Sequence, residues 1–469
     1  MLSATVILGF IRGRVSMERS VEGESLVKGL EKEIEFKAQL LTEGVRIDDD
    51  ALEGVGDIYY GYPAIMPMSH WQRPKRPDIW WPDNLVFPLG TKVKCYSNYE
   101  SPFNIRKEKD TLVIEKNGRF VSTCEWGKRA KDFEDTLLSD GKTRAGEVVT
   151  FLCGCHFIIQ KTMICDNWMS NESCRYCDVY HPEKISKLLE IVAETQTDTR
   201  RRTFSMGGTP EQVAEAAEIA HKLDYHFHYI LVGGFSPDYN FFMPYIEAVK
   251  NRTGEKYLRG VIAIGAPVNL SEIDRVCEYG LSGIQMDIEV WHPGMFEYIC
   301  PGKSRRVGRE GWLKALEHAG KAFRPGNTAS ALVTGLESKK EYLEAAEWCG
   351  ERDVLLYTCS YQPFWGTPLE GHRPPTWQWL LEVNYEVHNI MAKYLPTKSD
   401  EFFDSGVITC YNCGLFSLFY DIVRLSRGGT ISMDEKGHLI RLGDQGWERF
   451  DEGPWHERAW CSGIMGRPR

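Results

Sequence analysis

Three cysteines stand close together in the stretch CDNWMSNESCRYCDVYHP: Cys165, Cys174 and Cys177, at the spacing C-x(8)-C-x(2)-C. Their neighbours are polar and turn-forming, which places the thiols on a loop. Grouped thiols that stay reduced have the chemistry of soft-metal ligands. Four thiolates would close a tetrahedral zinc site, whereas three leave one metal position, or one iron of an iron-sulfur cluster, open to another molecule. The residues allow two readings. A zinc site needs a fourth donor, such as Cys155, His156 or His181, or a water where the metal is catalytic. A cluster with one open iron needs none.

The elements around the triplet predict where that loop sits. Apolar strand-like runs recur at 148–159, 227–234, 259–266, 283–290, 328–335 and 353–360, with amphipathic helices between them, the pattern of βα units on a parallel sheet. Thr209-Pro-Glu-Gln opens one helix with a capping box. SEIDRVCEYG, GREGWLKALEHAGKAF and SKKEYLEAAEWCG read as further helices. Six units are too few to close an eight-unit barrel. The expected fold class is therefore α/β: a partial (βα)6 TIM-type barrel over 146–370. An N-terminal α+β extension over 1–145 precedes it, and a helical C-terminal region over 371–469, carrying a CxxC, follows. The extension is rich in aromatics and prolines, and Asn117-Gly118 predicts a hairpin within it. The cysteine loop then falls just past the first barrel strand, on the rim where barrel enzymes place their chemistry.

Composition narrows the partners. The chain has 469 residues and a net charge of −10, with no overall attraction for phosphate backbones or anionic lipid, so neither nucleic acid nor a membrane surface is expected. Hydrophobic residues make up 42%, enough for large cores. The opening MLSATVILGFIRGRV holds a short apolar run without a basic start or a small-residue cleavage site, and no run approaches the roughly 18 apolar residues of a membrane span. A cytoplasmic protein is expected. Fourteen cysteines are too few for a disulfide scaffold in a chain of this length, and Cys277 and Cys349 read as core filler. So does Cys153-Gly-Cys155, as residues two apart on one strand share a face.

With its triplet ahead of a strand-helix series, the chain resembles the radical S-adenosylmethionine (SAM) superfamily over about 144–369. Members hold a 4Fe-4S cluster by three cysteines on the loop after the first strand of a partial (βα)6 barrel, usually at a tighter first spacing. The resemblance implies cluster ligands at Cys165, Cys174 and Cys177, and a 5′-deoxyadenosyl radical made from SAM that removes hydrogen from a small-molecule substrate. It implies Tyr176 beside adenine, Gly233 and Gly234 at the methionyl amino group, with Phe235 where Glu is usual, and Asp287 and Glu289 at the ribose. Gly335, followed by a shifted Glu337, would lie near adenine, and QPFWGTPLE matches a Pro-x-x-Gly-Thr-Pro loop. A low-potential electron donor such as flavodoxin or ferredoxin would supply the electron. Within the superfamily the chain looks like the biotin synthase-like branch, and most like the radical SAM proteins of nitrilase gene clusters, through IEVWHPGMFEYICPGK and a late CxxC.

Three features stay open. Cys410-Tyr-Asn-Cys413 can hold a second iron-sulfur cluster or metal, act as a redox dithiol, or simply precede a helix. His226 and His228 read as structural. Lys303, Arg305 and Arg306 are either a solvated run or a rim site for a substrate carboxylate or phosphate.

Overall fold

The computed structural model describes residues 21–53, 82–152, 155–160, 165–178, 208–235, 239–364, 366–399, 402, 414–443 and 446–450. Cys153, His181, Cys410 and Cys413 lie outside the described residues.

The first unit joins helix α1 (Val21–Glu43) to a six-stranded sheet of β1 (Arg46–Ile47), β2 (Asn84–Val86), β3 (Lys92–Lys94), β4 (Phe103–Glu108), β5 (Thr111–Lys116) and β6 (Arg119–Trp126), ordered β1-β4-β5-β6-β2-β3. Asn117 (φ 51°) and Gly118 (φ 73°) turn β5 into β6, both with the positive φ that a tight hairpin demands. Apolar residues of α1 and the sheet, among them Leu30, Ile34, Ile105 and Ile114, form one core.

The second unit is an open, curled sheet of seven strands. These are β7 (Thr150–Leu152), β8 (His156–Gln160), β9 (His228–Val232), β10 (Leu258–Ala263), β11 (Leu281–Gln285), β12 (Thr328–Thr334) and β13 (Val354–Ser360), ordered β13-β12-β11-β10-β9-β8-β7. From β8 to β13 all neighbours are parallel and follow chain order, so every crossover adds its strand beside the last, which makes a partial barrel. The expected first strand over 148–159 is instead an antiparallel hairpin, β7 with β8. Cys155 sits at its turn rather than mid-strand as expected, and is buried against Leu415. Apolar residues on both sides of the turn hid it, because a hairpin whose two arms are buried reads as one continuous run.

Helices cover the sheet. α2 (Asp166–Met169) is a single turn after β8, and α3 (Pro210–Lys222) follows with Thr209 as its cap. The capping box is present: Gln212 N–H donates to Thr209 Oγ1 at 3.3 Å and Thr209 N–H to Gln212 Oε1 at 3.0 Å. α4 (Met243–Thr253), α5 (Ser271–Tyr279), α6 (Pro293–Ile299), α7 (Pro301–Arg306), α8 (Arg309–Ala322) and α9 (Lys339–Gly350) complete the units. A Cβ on Gly260 of β10 would lie 2.0 Å from the Tyr229 carbonyl oxygen, so only glycine lets β10 approach β9 there.

The helical reading of the tail covers α10 (Trp377–Tyr394) and α11 (Phe419–Ser426). Beyond them the chain forms a three-stranded antiparallel sheet, β14 (Ile431–Met433), β15 (Leu439–Gly443) and β16 (Gly446–Arg449). Leu380, Tyr385, Leu418, Ile422 and Leu425 of the tail complete the core of the first unit. Buried Lys37 of α1 reaches into the tail, its Nζ bonding the Gly414 carbonyl and Asp421 Oδ2, the latter at 2.6 Å. Among the described residues no helix is long and apolar enough to cross a membrane.

Candidate active site

The cysteine loop, 165–178, begins past the carboxyl end of β8. Cys165 caps α2, its carbonyl accepting from Trp168 N at 2.9 Å and Met169 N at 3.0 Å. Burial pushes the Cys165 thiol up, and the nearby backbone N–H groups of Trp168, Phe235 and Asn167 oppose this.

Ties from three other barrel loops fix the rest of this segment. Asp166 N donates to Phe235 O at 3.1 Å, fastening it to the end of β9 beside Gly233 and Gly234. Gly302 N donates to Glu172 O at 3.1 Å, and a Cβ at Gly302 would lie 2.3 Å from Asn167 Oδ1, so this close approach also requires glycine. Arg175 N donates to Ile299 O at 2.9 Å, its Nε to Tyr298 O at 2.6 Å, and its carbonyl accepts from Leu369 N at 3.2 Å. The loop expected after the last strand therefore touches the cysteine segment directly.

Cys174, Tyr176 and Cys177 face the end of β11. Lys303 is buried there, donating from Nζ to Glu289 Oε1 at 2.6 Å and to the Asp287 carbonyl at 2.7 Å, with the ammonium 4.7 Å from the Trp312 ring centre. Burial alone would lower the Lys303 pKa, but Glu289, Cys174, Cys300 and Asp287 around it raise it, so it stays charged. Hydrogen bonding from Cys300, helped by the Lys303 charge, holds the Cys174 thiol below its usual range although burial opposes this. Tyr176 is pushed well above the usual phenol value by burial and by Glu289, Cys174, Cys300 and Cys177. Glu289 has φ +73°, a rare conformation for a side-chain-bearing residue, and is clamped by Glu289 N to Ala331 O at 2.9 Å and Val333 N to Glu289 O at 2.8 Å.

Asp287 lies inward on the same strand extension. Its Oδ1 accepts from Ala331 N at 2.9 Å, and Gln285 Nε2 bridges Asp287 Oδ2 at 2.9 Å and the Tyr357 hydroxyl at 2.7 Å. Burial, then the Glu289 charge, push the Asp287 carboxyl up from 3.8 to about 6. The fold thus binds this proton more tightly than the unfolded chain does, so the group's stabilisation is complete below about pH 4 and lost as pH rises through about 6. A rise from 3.8 to about 6 corresponds to about 3 kcal/mol. In urea titrations of cluster-free protein, Asp287→Asn is expected to lose that much of the pH dependence. Parallel curves for the variant and the wild type would refute it.

Other expected residues fall elsewhere. Gly335 (φ +114°) is packed so that a Cβ would lie 2.7 Å from Pro375 Cδ, and its N–H donates to the Tyr342 hydroxyl at 3.0 Å. Glu337 is occupied by the backbone N–H groups of Trp291 (2.5 Å) and His292 (2.7 Å). The basic run is divided: Lys303 is buried and paired with Glu289, while Arg306 and the largely exposed Arg305 both bind Glu172 of the cysteine loop, Arg306 at 2.9 Å. His156 and His228 are buried with ring centres 4.5 Å apart at the amino ends of their strands. Four residue steps along β8, about 13 Å, separate His156 from the cysteine-loop end, so it is no fourth ligand, and neither is Cys155. Among the described residues no three His, Cys, Asp or Glu side chains are grouped so as to hold one metal ion. Cluster thiolates bind separate irons and need not meet at one point as zinc ligands do. Cys300 has no place in the cysteine spacing and was legible only as part of the phrase ICPGK.

Residues 170–349 match the model of the radical SAM superfamily. That stretch carries a radical SAM superfamily domain, which supports an enzyme of that superfamily. Cys174 and Cys177 fall inside the matched stretch, and Cys165 falls just ahead of it. A protein of Chlorobaculum limnaeum named bacteriochlorophyllide c C-7(1)-hydroxylase is 29% identical over 241 residues, covering 49% of this chain and 58% of that protein. The match thus spans less than two thirds of the relative's length. Among solved structures, that of methylornithine synthase is similar with a TM-score of 0.37 and 17% identity, over 60% of this chain and 71% of that one.

Proposed function

We propose that this chain binds a 4Fe-4S cluster through Cys165, Cys174 and Cys177, binds SAM at its open iron, and abstracts hydrogen from a small-molecule substrate. When bound, the two cofactors supply a 5′-deoxyadenosyl radical. The observation that carries the reading is the pinned thiol loop at the carboxyl-end rim of an open barrel, tied to the segments after β9, β11 and β13. Such a loop has its thiols placed before any cofactor arrives, which reduces the ordering cost of binding.

The resemblance assigns roles to the other residues. Gly233 and Gly234 offer backbone at the end of β9 for the methionyl group. Tyr176, with its ring packed at the core edge, would flank adenine, with Gly335 on the far side. Asp287 and Glu289 would face the ribose, Glu289 held in place by Lys303. The barrel interior then excludes water from the reacting carbon, and aiming one C–H bond is the protein's main contribution. The relative named as a hydroxylase favours chemistry at a carbon centre. A low-potential donor of the flavodoxin or ferredoxin class would deliver the electron, and the cytoplasm would be the compartment.

Anaerobic purification tests the reading. Brown protein with about four irons per chain, yielding 5′-deoxyadenosine from SAM after dithionite reduction, is the expected result. Colourless protein with stoichiometric zinc would sink it in favour of a zinc hydrolase or lyase, or of a zinc-stabilised binding protein.

A further inference from the structure

Gln285 ends β11 two residues before Asp287, so the two side chains share the face that looks into the barrel. Its Nε2 donates to the Tyr357 hydroxyl at 2.7 Å and to Asp287 Oδ2 at 2.9 Å. A carboxylate only accepts, so the amide nitrogen must face Asp287, and these two bonds use both of its hydrogens. Oε1 is left as an acceptor whose position is fixed. Gln285 is 7% exposed, and Oε1 has no hydrogen-bond partner among the described residues. The neighbours explain why. Gln285 pairs in register with Ala263 on β10 and Ala329 on β12, whose methyl groups offer no donor. The backbone beside it is committed too: Ile264 N–H donates to the Gln285 carbonyl and Met286 N–H to the Ala329 carbonyl, both at 3.0 Å. Ala263, Val232 in register with it on β9, and Asp287 are only partly buried, so the lumen next to Gln285 is open.

An acceptor shut away from water without a donor destabilises the fold that carries it, and a molecule bringing the missing donor is favoured at that place. We infer that Gln285 selects the substrate, its Oε1 accepting a hydrogen bond from an N–H or O–H group of the molecule that loses hydrogen. This rests on the functional reading above, in which the ribose meets Asp287 and Glu289. Gln285 lies about 7 Å deeper along the strand than Asp287, beneath the nucleotide, where the second ligand has its place. Oε1 and the Asp287 carboxylate both accept, so an amide, amine or hydroxyl fits here and a carboxylate or phosphate does not. An analogue without the donor would leave Oε1 unpaired and be rejected, which is how one side chain sets specificity.

The test is ligand-observed saturation-transfer NMR on the reconstituted, SAM-loaded full chain without reductant, with acetamide, 2-propanol and acetone as probes. The three are close in shape; the first brings N–H, the second O–H and the third neither. Wild type is expected to give acetamide, 2-propanol or both a signal roughly three- to tenfold above acetone, and the favoured probe names the group the substrate presents. Gln285→Met, similar in volume, should erase that excess while SAM binding in equilibrium dialysis stays at the wild-type level. Equal signals for all three probes in wild type overturn the inference, as does an excess that survives in Gln285→Met. Loss of SAM binding in Gln285→Met also overturns it, because Gln285 would then serve the nucleotide. Wild type that takes up neither iron nor SAM brings down the functional reading itself. If Gln285→Met does not fold, Ala263→Ser takes its place: a hydroxyl set beside Oε1 should satisfy it from within and erase the excess, and an undiminished excess overturns the inference.

Discussion

Cys174→Ala and Cys177→Ala are each expected to strip the protein of its iron and of detectable 5′-deoxyadenosine formation, and Cys165→Ala to do the same. A cluster held by three protein sulfurs has no spare ligand, so one loss leaves two irons without a protein donor or a cluster that does not assemble. The effect should far exceed the roughly 10–100-fold that loss of an outer-shell partner costs. Stability should change little by comparison, because Cys174 and Cys177 are only partly buried. Cys95→Ala is the control: it is buried in the core of the first unit, away from the loop, and should keep full iron. Iron retained in Cys165→Ala alone would show that the long first gap does not bring that thiol to the cluster. The ligand set would then have to be redrawn around Cys174 and Cys177.

Lys303→Met is expected to destabilise cluster-free protein by about 3–5 kcal/mol, the usual cost of breaking a buried ion pair from one side. The Glu289 carboxylate would remain buried beside Asp287 with its cation gone, and the ammonium contact with the Trp312 ring would be lost too. Glu289→Leu alone should cost a similar amount, since it strands the ammonium. The double variant should recover much of the loss, giving a coupling energy in a double-mutant cycle from urea unfolding. Simple additivity of the two losses would show that the pair does not act as a unit. A Glu289 freed of its partner also leaves a strained backbone at φ +73° without its side-chain anchor.

Much of this architecture was legible from local pattern. The parallel strands and the helices between them follow hydrophobic period, and Thr209 and Asn117-Gly118 act at the positions their chemistry demands. What escaped was set by distant partners. The β7–β8 turn is buried on both arms, so polarity did not mark it. The packing of Leu418 and Ile422 into the core of the first unit depends on residues hundreds of positions away. At the site, spacing exposed the three thiols. It was silent on Cys300, which the junction between two helices, rather than distance along the chain, brings near the loop. Lys303 looked like part of a surface run because its neighbours Arg305 and Arg306 are charged, yet one turn of helix puts them on different partners.

The Lys37 contact with Gly414 and Asp421 has a bearing on biogenesis. During synthesis the opening helix emerges long before the residues that cover it, and an apolar face that must wait for the distant end is a target for aggregation or for a chaperone. The barrel can mature meanwhile, since its strands pair in the order they appear. Final closure therefore waits for these residues to emerge, and a ribosome-bound chain stalled before Leu418 should leave its first-formed sheet sensitive to protease.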